Sequence, residues 1–320
     1  MTRTLPALLL CAAALIAVPL VITNEFYLNL ASQILIYALL AVSLNLLLGY
    51  GGMVSLGHAS FLGLAAYAAT LFLTWGMGQL ASAILAILFS TLCGAVFGVL
   101  SLRATGIGFL MITLALGQIV WGIAYRANTL TNGDNGLTFP VRPAPFGIDI
   151  NSAPRFYWFT LIVFAVAMFF IWRLVRSPFG AALQGTRDQP RRMRMLGHNV
   201  WLIQWLAFVL ASFWGSVAGV LYVYYNLFIS PHAIALQQSA EVLLMAILGG
   251  ASTFTGPVVG AVIITLVKNL ASSYIERWNT LLGLIFVIVI LFMPLGLVPG
   301  VRQLWMRWGR KSAAKPEHAP

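Results

Sequence analysis

The sequence predicts an all-α integral membrane protein: a polytopic helical bundle of about 8–10 transmembrane segments, with glycine-broken or re-entrant helices and a weak internal repeat. Three observations carry that expectation. Of 320 residues, 61% are hydrophobic and only 8% are charged, with a mean hydropathy of +0.93; a soluble domain carries roughly 25% charged residues. Apolar stretches of about the length of a bilayer span recur along the chain, separated by short polar interruptions. One interruption, Arg173–His198, holds six arginines against the single acid Asp188. Arginine clustered between spans marks the cytoplasmic face. The net charge of +11 therefore belongs to membrane borders, and nucleic acid is not an expected partner.

Arg3 precedes an apolar run, Leu5–Ile22. It reads as a retained first span rather than a signal peptide, because no clear small-residue cleavage site follows. A second span covers Phe26–Leu48, whose Asn29, Gln33 and Asn45 are expected to face other helices. Glycine and polar residues interrupt the pattern over Gly49–Gly63. Further spans read as Phe61–Thr74, Leu80–Leu102 and Gly106–Tyr125. Arg126–Phe156, with its glycines and prolines, reads as an outward-facing loop, and Tyr157–Ile171 as a sixth span.

Beyond the arginine-rich stretch, Val200–Tyr225 crosses outward. Two apolar arms follow, Gln237–Leu248 and Pro257–Leu270, each shorter than the roughly 20 residues a span needs. They form either a re-entrant hairpin or two short crossings. Leu281–Val298 returns the chain to the cytoplasm, where the basic tail lies with Arg302, Arg307, Arg310, Lys311 and Lys315. Trp201, Trp205, Trp305 and Trp308 read as interface anchors. With Arg3 inside, successive crossings place Arg103 inside, Arg126–Phe156 outside and the arginine-rich stretch inside. The charge signals agree with this order, although Arg126, Arg142 and Arg155 dissent on the outer loop. One transmembrane domain is expected over 1–320: a first half (1–172), a cytoplasmic loop (173–199), a second half (200–300) and a basic tail (301–320).

The cytoplasmic loop has internal signals. Ser177-Pro178 is a helix start, and Asp188 followed by Pro190 is a second. Gly197 is a plausible stop. Arg187, Arg191, Arg194 and His198 recur at helical spacing on one face, with Met193 and Leu196 on another. This predicts a short amphipathic helix lying in the cytoplasm; a solvated connector that only sets orientation is the other reading.

The repeat is the second pointer to function. Gly51-Gly52 with Ser55, His58 and Ser60 precedes an apolar helix, as does Gly249-Gly250 with Ser252 and Thr253. Glycine-interrupted short spans at matching places in two halves point to a transport path, since broken backbone at membrane depth survives only inside protein or beside a wet cavity. Close helix packing by small residues is the alternative.

Asn45–Ala66, NLLLGYGGMVSLGHASFLGLAA, resembles the signature of the branched-chain amino acid ABC-importer permeases, in the subunit type with the longer N-terminal region. Leu248–Asn269 resembles the second glycine-rich region of that family, and Arg187–Val200 its cytoplasmic coupling segment. The resemblance implies a pore of two homologous permease subunits, two cytoplasmic ATP-binding subunits docked on the coupling segments, and a periplasmic or extracellular substrate-binding protein. It also implies a multi-pass protein of the bacterial plasma (inner) membrane with a cytoplasmic C-terminus. Carried over, Asp188, Pro190, Arg191, Leu196 and Gly197 form the docking helix. Met193 departs from the small residue usual at its place, which implies a matched groove in the ATPase. Urea or short amides are alternative solutes, because their permeases look similar.

The residues offer no enzyme. No phosphate-binding loop of the G-x-x-x-x-G-K-[ST] type is present, so ATP must be hydrolysed by another chain. No nucleophile–base constellation, metal site or cofactor site is apparent, and Cys11 and Cys93 read as free thiols in separate apolar segments. Glu241 in a short arm is a candidate proton carrier; the preferred reading places it wet, at the outer start of the arm, favoured by the helix dipole. His58 is either a gate or a partner for freed carbonyls. Lys268, with Glu276 and Arg277, is expected to mark the outer border. No intramembrane acid–base pair is apparent that would hold an ammonium and a carboxylate, so recognition is expected to lie in the external binding protein. A proton-coupled secondary transporter using Glu241 or His58, and a passive channel for urea-like solutes, are the rival classes.

Overall fold

The computed structural model describes residues 24–139, 150–251 and 253–272, together with isolated positions up to 300. The first expected span, Ser252, Glu276, Arg277 and the basic tail lie outside the described residues, as does most of Leu281–Val298. The fold is an all-α bundle. Five described helices are long and apolar enough to cross a membrane, and three shorter apolar helices accompany them.

Helix α1, Glu25–Asn45, is the axis of the bundle. Asn24 caps it by accepting from the Phe26 N–H at 3.0 Å. Every residue from Leu35 to Leu47 is buried, so α1 is apolar all round. The helix widens into a π-helical turn, Leu46–Tyr50, and then stops. Residues 51–57 are irregular, and Gly52 takes φ +68°. Helix α2, Ala59–Thr74, begins beside α1 rather than below it: His58 Nε2 lies 2.8 Å from Ser43 Oγ, about two turns above Tyr50. At 16 residues α2 is about 24 Å long, short of a full crossing.

Helices α3 (Gln79–Ser101), α4 (Ile107–Arg126) and α5 (Ala153–Val175) form the periphery. Their sequences show why. On α3, Ser82, Ala86, Ser90, Gly94 and Gly98 repeat every four residues and are buried, while Leu88, Leu92 and Val96 face outward. Small residues on one face let helices approach; large apolar residues on the other suit lipid. The approach is close: a Cβ on Gly94 would run into the Ser212 side chain, and Ser216 Oγ meets Ser90 Oγ at 2.8 Å. Both serines belong to the long helix described next, which carries Trp205; its indole N–H donates to the Ala95 carbonyl at 2.9 Å. That indole is thus tied to a neighbouring helix as well as stacked on Trp201.

The arginine-rich stretch forms two helices, α6 (Pro178–Asp188) and α7 (Pro190–Met195), with the bend at Gln189. Gln189 is extended (φ −147°, ψ 80°), as a residue before proline prefers. The single face expected to carry Arg187 together with Arg191, Arg194 and His198 is therefore divided at this bend. Asn199 caps α8, Val200–Asn226, by accepting from the Leu202 N–H at 3.1 Å. The described part of the Arg126–Phe156 segment holds a helical turn, Asn128–Thr131, and a two-residue strand, β1 (Leu137–Thr138), antiparallel to β2 (Phe228–Ile229) beyond α8.

The two short arms are α9 (Leu236–Gly249) and α10 (Gly256–Ser272). They pack backbone to backbone: a Cβ on Gly249 would collide with the Gly256 carbonyl, and one on Gly260 with that of Met245. Their turn lies beside Gly49 just past the C-terminal end of α1, and Asn269 near the far end of α10 returns to Gln33 on α1. The arms thus enter and leave toward the same side.

Candidate functional site

The two halves of the sequence repeat meet. Each glycine-rich stretch follows one apolar helix and precedes another, and each carries a left-handed glycine, Gly52 at φ +68° and Gly250 at φ +113°. The end of α1 touches the turn between α9 and α10: Asn45 Nδ2 donates to the Thr253 carbonyl at 3.0 Å, and a Cβ on Gly49 would overlap the Ala251 carbonyl. Thr253 orders that turn, its hydroxyl donating to the Gly250 carbonyl at 2.9 Å and accepting from the Gly256 N–H at 3.0 Å. Side-chain hydroxyls satisfy backbone that no regular helix can satisfy here.

Of the residues singled out in the first stretch, Gly51, Ser55, His58 and Ser60 are buried, and Gly52 is exposed beside the Arg187 stem. A Cβ on Gly51 would meet the Leu47 carbonyl and the Met53 side chain at 2.8 Å. Gly57 lies on α4, where Thr113 Oγ1 accepts from the Leu56 N–H at 3.3 Å. At the start of α2, Ser239 of α9 accepts from the Ala59 N–H at 3.2 Å. The His58 ring uses Nε2 toward Ser43, while its buried Nδ1 and the buried Ser60 Oγ have no protein partner. The broken start of α2 thus holds polar atoms not consumed by folding. In the second stretch Gly249 and Gly250 are buried and Thr253 is half-buried.

The arginine-rich segment divides by exposure. On α6, Leu183 and Thr186 are buried, Leu183 against Leu46 and Leu47 of the π-helical turn. On α7 nothing is buried, and Met195 and Leu196 are 81% and 67% exposed. Asp188, Pro190, Arg191 and Gly197 are exposed as well. Met193 is half-buried over Gly185, whose added Cβ would meet its Sδ at 2.7 Å, so its bulk is accommodated within the chain. The Gly197 stop is as expected: φ is +83°, the Gly197 N–H donates to Arg194 and the His198 N–H to Met193. Arg187 is exposed too, but its guanidinium reaches back to the end of α1. It donates to the Gly49 carbonyl and to Asp188 Oδ1, the latter at 2.8 Å.

Glu241 does not sit wet at the outer start of its arm. It is 4% exposed and pairs with Lys268 Nζ at 2.9 Å, α9 to α10. Tyr37 and Tyr222, whose rings pack edge to face with centroids 6.3 Å apart, lie within electrostatic reach of Glu241. Tyr37 lies about 18 Å along α1 from Glu25, so the pair is at mid-bundle depth. An acid–base pair is therefore present inside the bundle, and Lys268 marks no outer border. Dipole stabilisation fails as the explanation because Glu241 lies beyond the first turn of α9. A buried carboxylate needs a counter-ion, and the hairpin supplies one.

Among the described residues no group of three or more His, Cys, Asp or Glu side chains could hold a metal ion. The features brought together are two touching helix breaks inside an apolar bundle and an exposed arginine-rich segment beside them. A family model described as "Branched-chain amino acid transport system / permease component" matches residues 26–293. The chain is 28% identical over 316 aligned residues to the high-affinity branched-chain amino acid transport system permease protein LivM of Salmonella typhimurium, covering 91% of this chain and 74% of that protein. It is 22% identical to the LivH permease protein of the same kind of system in Escherichia coli, covering 82% and 91%. The autoinducer 2 import system permease protein LsrD of an Enterobacter species is 27% identical, over 79% and 76%.

Proposed function

This chain belongs to the branched-chain amino acid transport system permease family, and from that premise we propose that it carries branched-chain amino acids inward as one half of an ABC-importer pore. The single observation that supports the path is the contact of the two glycine breaks, Asn45 to Thr253 and Gly49 to Ala251. Gly51, Gly52, Ser55, His58, Ser60, Gly249, Gly250, Ser252 and Thr253 are the proposed path residues. The likeness to both LivM and LivH supports a homologous second permease subunit as partner. One of two ATP-binding subunits docks on Asp188–Gly197 and the other on the matching segment of the partner permease, and a substrate-binding protein delivers solute at the outer face. The setting is the bacterial inner membrane with the C-terminus in the cytoplasm. The LsrD likeness shows why the solute itself needs a test.

The complete complex in liposomes is expected to import leucine, isoleucine or valine, and not urea, only with ATP and the loaded binding protein. Uptake driven by a proton gradient without ATP would overturn this reading. The docking surface has its own test. Leu196→Asp places a charge on an outward apolar residue, and Gly197→Pro demands φ near −65° where the chain takes +83°. Both variants should insert and lose co-purification with the ATPase; intact complexes would argue against docking here. For topology, cysteines at Ser152 and Ser312 should label from opposite sides in intact cells with an impermeant reagent. Labelling of both from outside would contradict the proposed sidedness.

A further inference from the structure

Arg187 lies on α6, not on α7; its side chain is 36% exposed but anchored at its tip. It is the one arginine of α6, and its guanidinium reaches the Gly49 carbonyl in the π-helical turn that ends α1. Carbonyls in a last helical turn lack partners and carry partial negative charge, so a cation there is doubly favoured. The aliphatic stem of Arg187 covers Gly52: a Cβ at that left-handed position would meet Arg187 Cγ at 2.5 Å. The other end of the guanidinium holds Asp188 Oδ1 at 2.8 Å, at the junction with α7. Arginine suits this place because its planar fork presents five donors, enough to hold a carbonyl and a carboxylate at once.

The connection continues beyond Gly49. That residue packs on Ala251, and Asn45 one turn earlier holds Thr253, both in the turn of the α9–α10 hairpin. A short line of direct contacts thus runs from Asp188 through Arg187 and the α1 break to the hairpin turn. We propose that Arg187 is the positioning residue that couples the cytoplasmic docking segment to the paired glycine breaks. Movement of α7 under the ATPase is transmitted to the Gly49 carbonyl through the guanidinium, and the hairpin turn moves with it. This rests on the reading of Asp188–Gly197 as the docking segment. Burial of Leu183 against Leu46 and Leu47 seats α6 on the turn, so the strut acts between two elements already in register.

The test uses the complete reconstituted complex with Arg187→Met, Arg187→Lys and Arg103→Met. Methionine keeps the stem over Gly52 and removes every donor, whereas lysine restores one donor and the charge. Arg103 is an exposed cytoplasmic arginine outside this line and controls for loss of charge. Arg187→Met should assemble and hydrolyse ATP within about twofold of wild type while solute uptake falls about tenfold, as for loss of a charge-assisted hydrogen bond. Solute moved per ATP then falls about tenfold, Arg187→Lys recovers part of it, and Arg103→Met matches wild type. Uptake by Arg187→Met within about twofold of wild type overturns the proposal, as does parallel loss of uptake and ATPase assembly, which would make Arg187 a folding or docking residue. Failure of the wild-type complex to import with ATP would instead overturn the permease reading itself.

Discussion

Gly250→Leu is expected to abolish uptake, and Gly52→Leu to reduce it severely, in protein that still inserts. Gly250 takes φ +113° and ψ 95°, a conformation that side-chain-bearing residues reach only with strain of about 1–3 kcal/mol. Its surroundings leave no relief. Gly296 packs directly on it, so that even a Cβ at 296 would run into Gly250 Cα, and Thr253 accepts no displacement without losing its bond to the Gly250 carbonyl. Leucine therefore forces the hairpin turn away from Ala251 and Gly49, which is the contact between the two breaks. Gly52→Leu combines φ +68° with a clash against the Arg187 stem. That clash is with side-chain atoms rather than backbone, so the smaller effect is expected there. Gly122→Leu is the control, because nothing lies within 4 Å of a Cβ at 122 and leucine is a better helix former. Uptake should drop more than about tenfold for Gly250→Leu and stay near wild type for Gly122→Leu. Should Gly250→Leu transport normally, the turn is not part of the path.

The elements were largely legible in the sequence because helix position follows from hydropathy and from polar or glycine punctuation. The short arms at 237–270, the breaks at Gly51-Gly52 and Gly249-Gly250, and the stop at Gly197 all follow from local chemistry. Asn45 and Gln33 face other helices as lipid cost requires: one holds Thr253, the other receives Asn269. What local chemistry does not carry is registration between elements. Arg187 reads as one more arginine on a solvated face, because only the Gln189 bend separates it from Arg191 and turns it inward. The contact of Asn45 with Thr253 spans 208 positions. The signal available was the repeat itself: two breaks that each lack the backbone partners of a full helix can satisfy one another. Glu241 and Lys268 stand 27 positions apart, and their meeting depends on where the hairpin turns. Two lone ionisable residues on consecutive apolar arms were the available clue, since each is costly without the other.

That pair sets the last expectation, on stability. Lys268→Met should destabilise the protein by about 3–5 kcal/mol, because it strands the Glu241 carboxylate at 4% exposure. Glu241→Gln should cost less. The lysine side chain is 27% exposed, and its flexible stem lets the ammonium reach a more polar place. The double variant Glu241→Gln/Lys268→Met removes both charges, and it should recover most of the loss because an ion pair in an apolar interior gains little over neutral groups of similar shape. The order of midpoints in denaturant-dependent unfolding in detergent is then wild type and double variant highest, Glu241→Gln intermediate and Lys268→Met lowest. This order also bears on the secondary-transporter alternative. A carboxylate that carried protons would leave the double variant stable and unable to transport, whereas an ion pair that clasps α9 to α10 leaves it stable and competent in ATP-driven uptake. Equal midpoints for all four proteins would mean that the pair contributes nothing to the fold. A double variant weaker than either single one would mean that the two residues act separately rather than on each other.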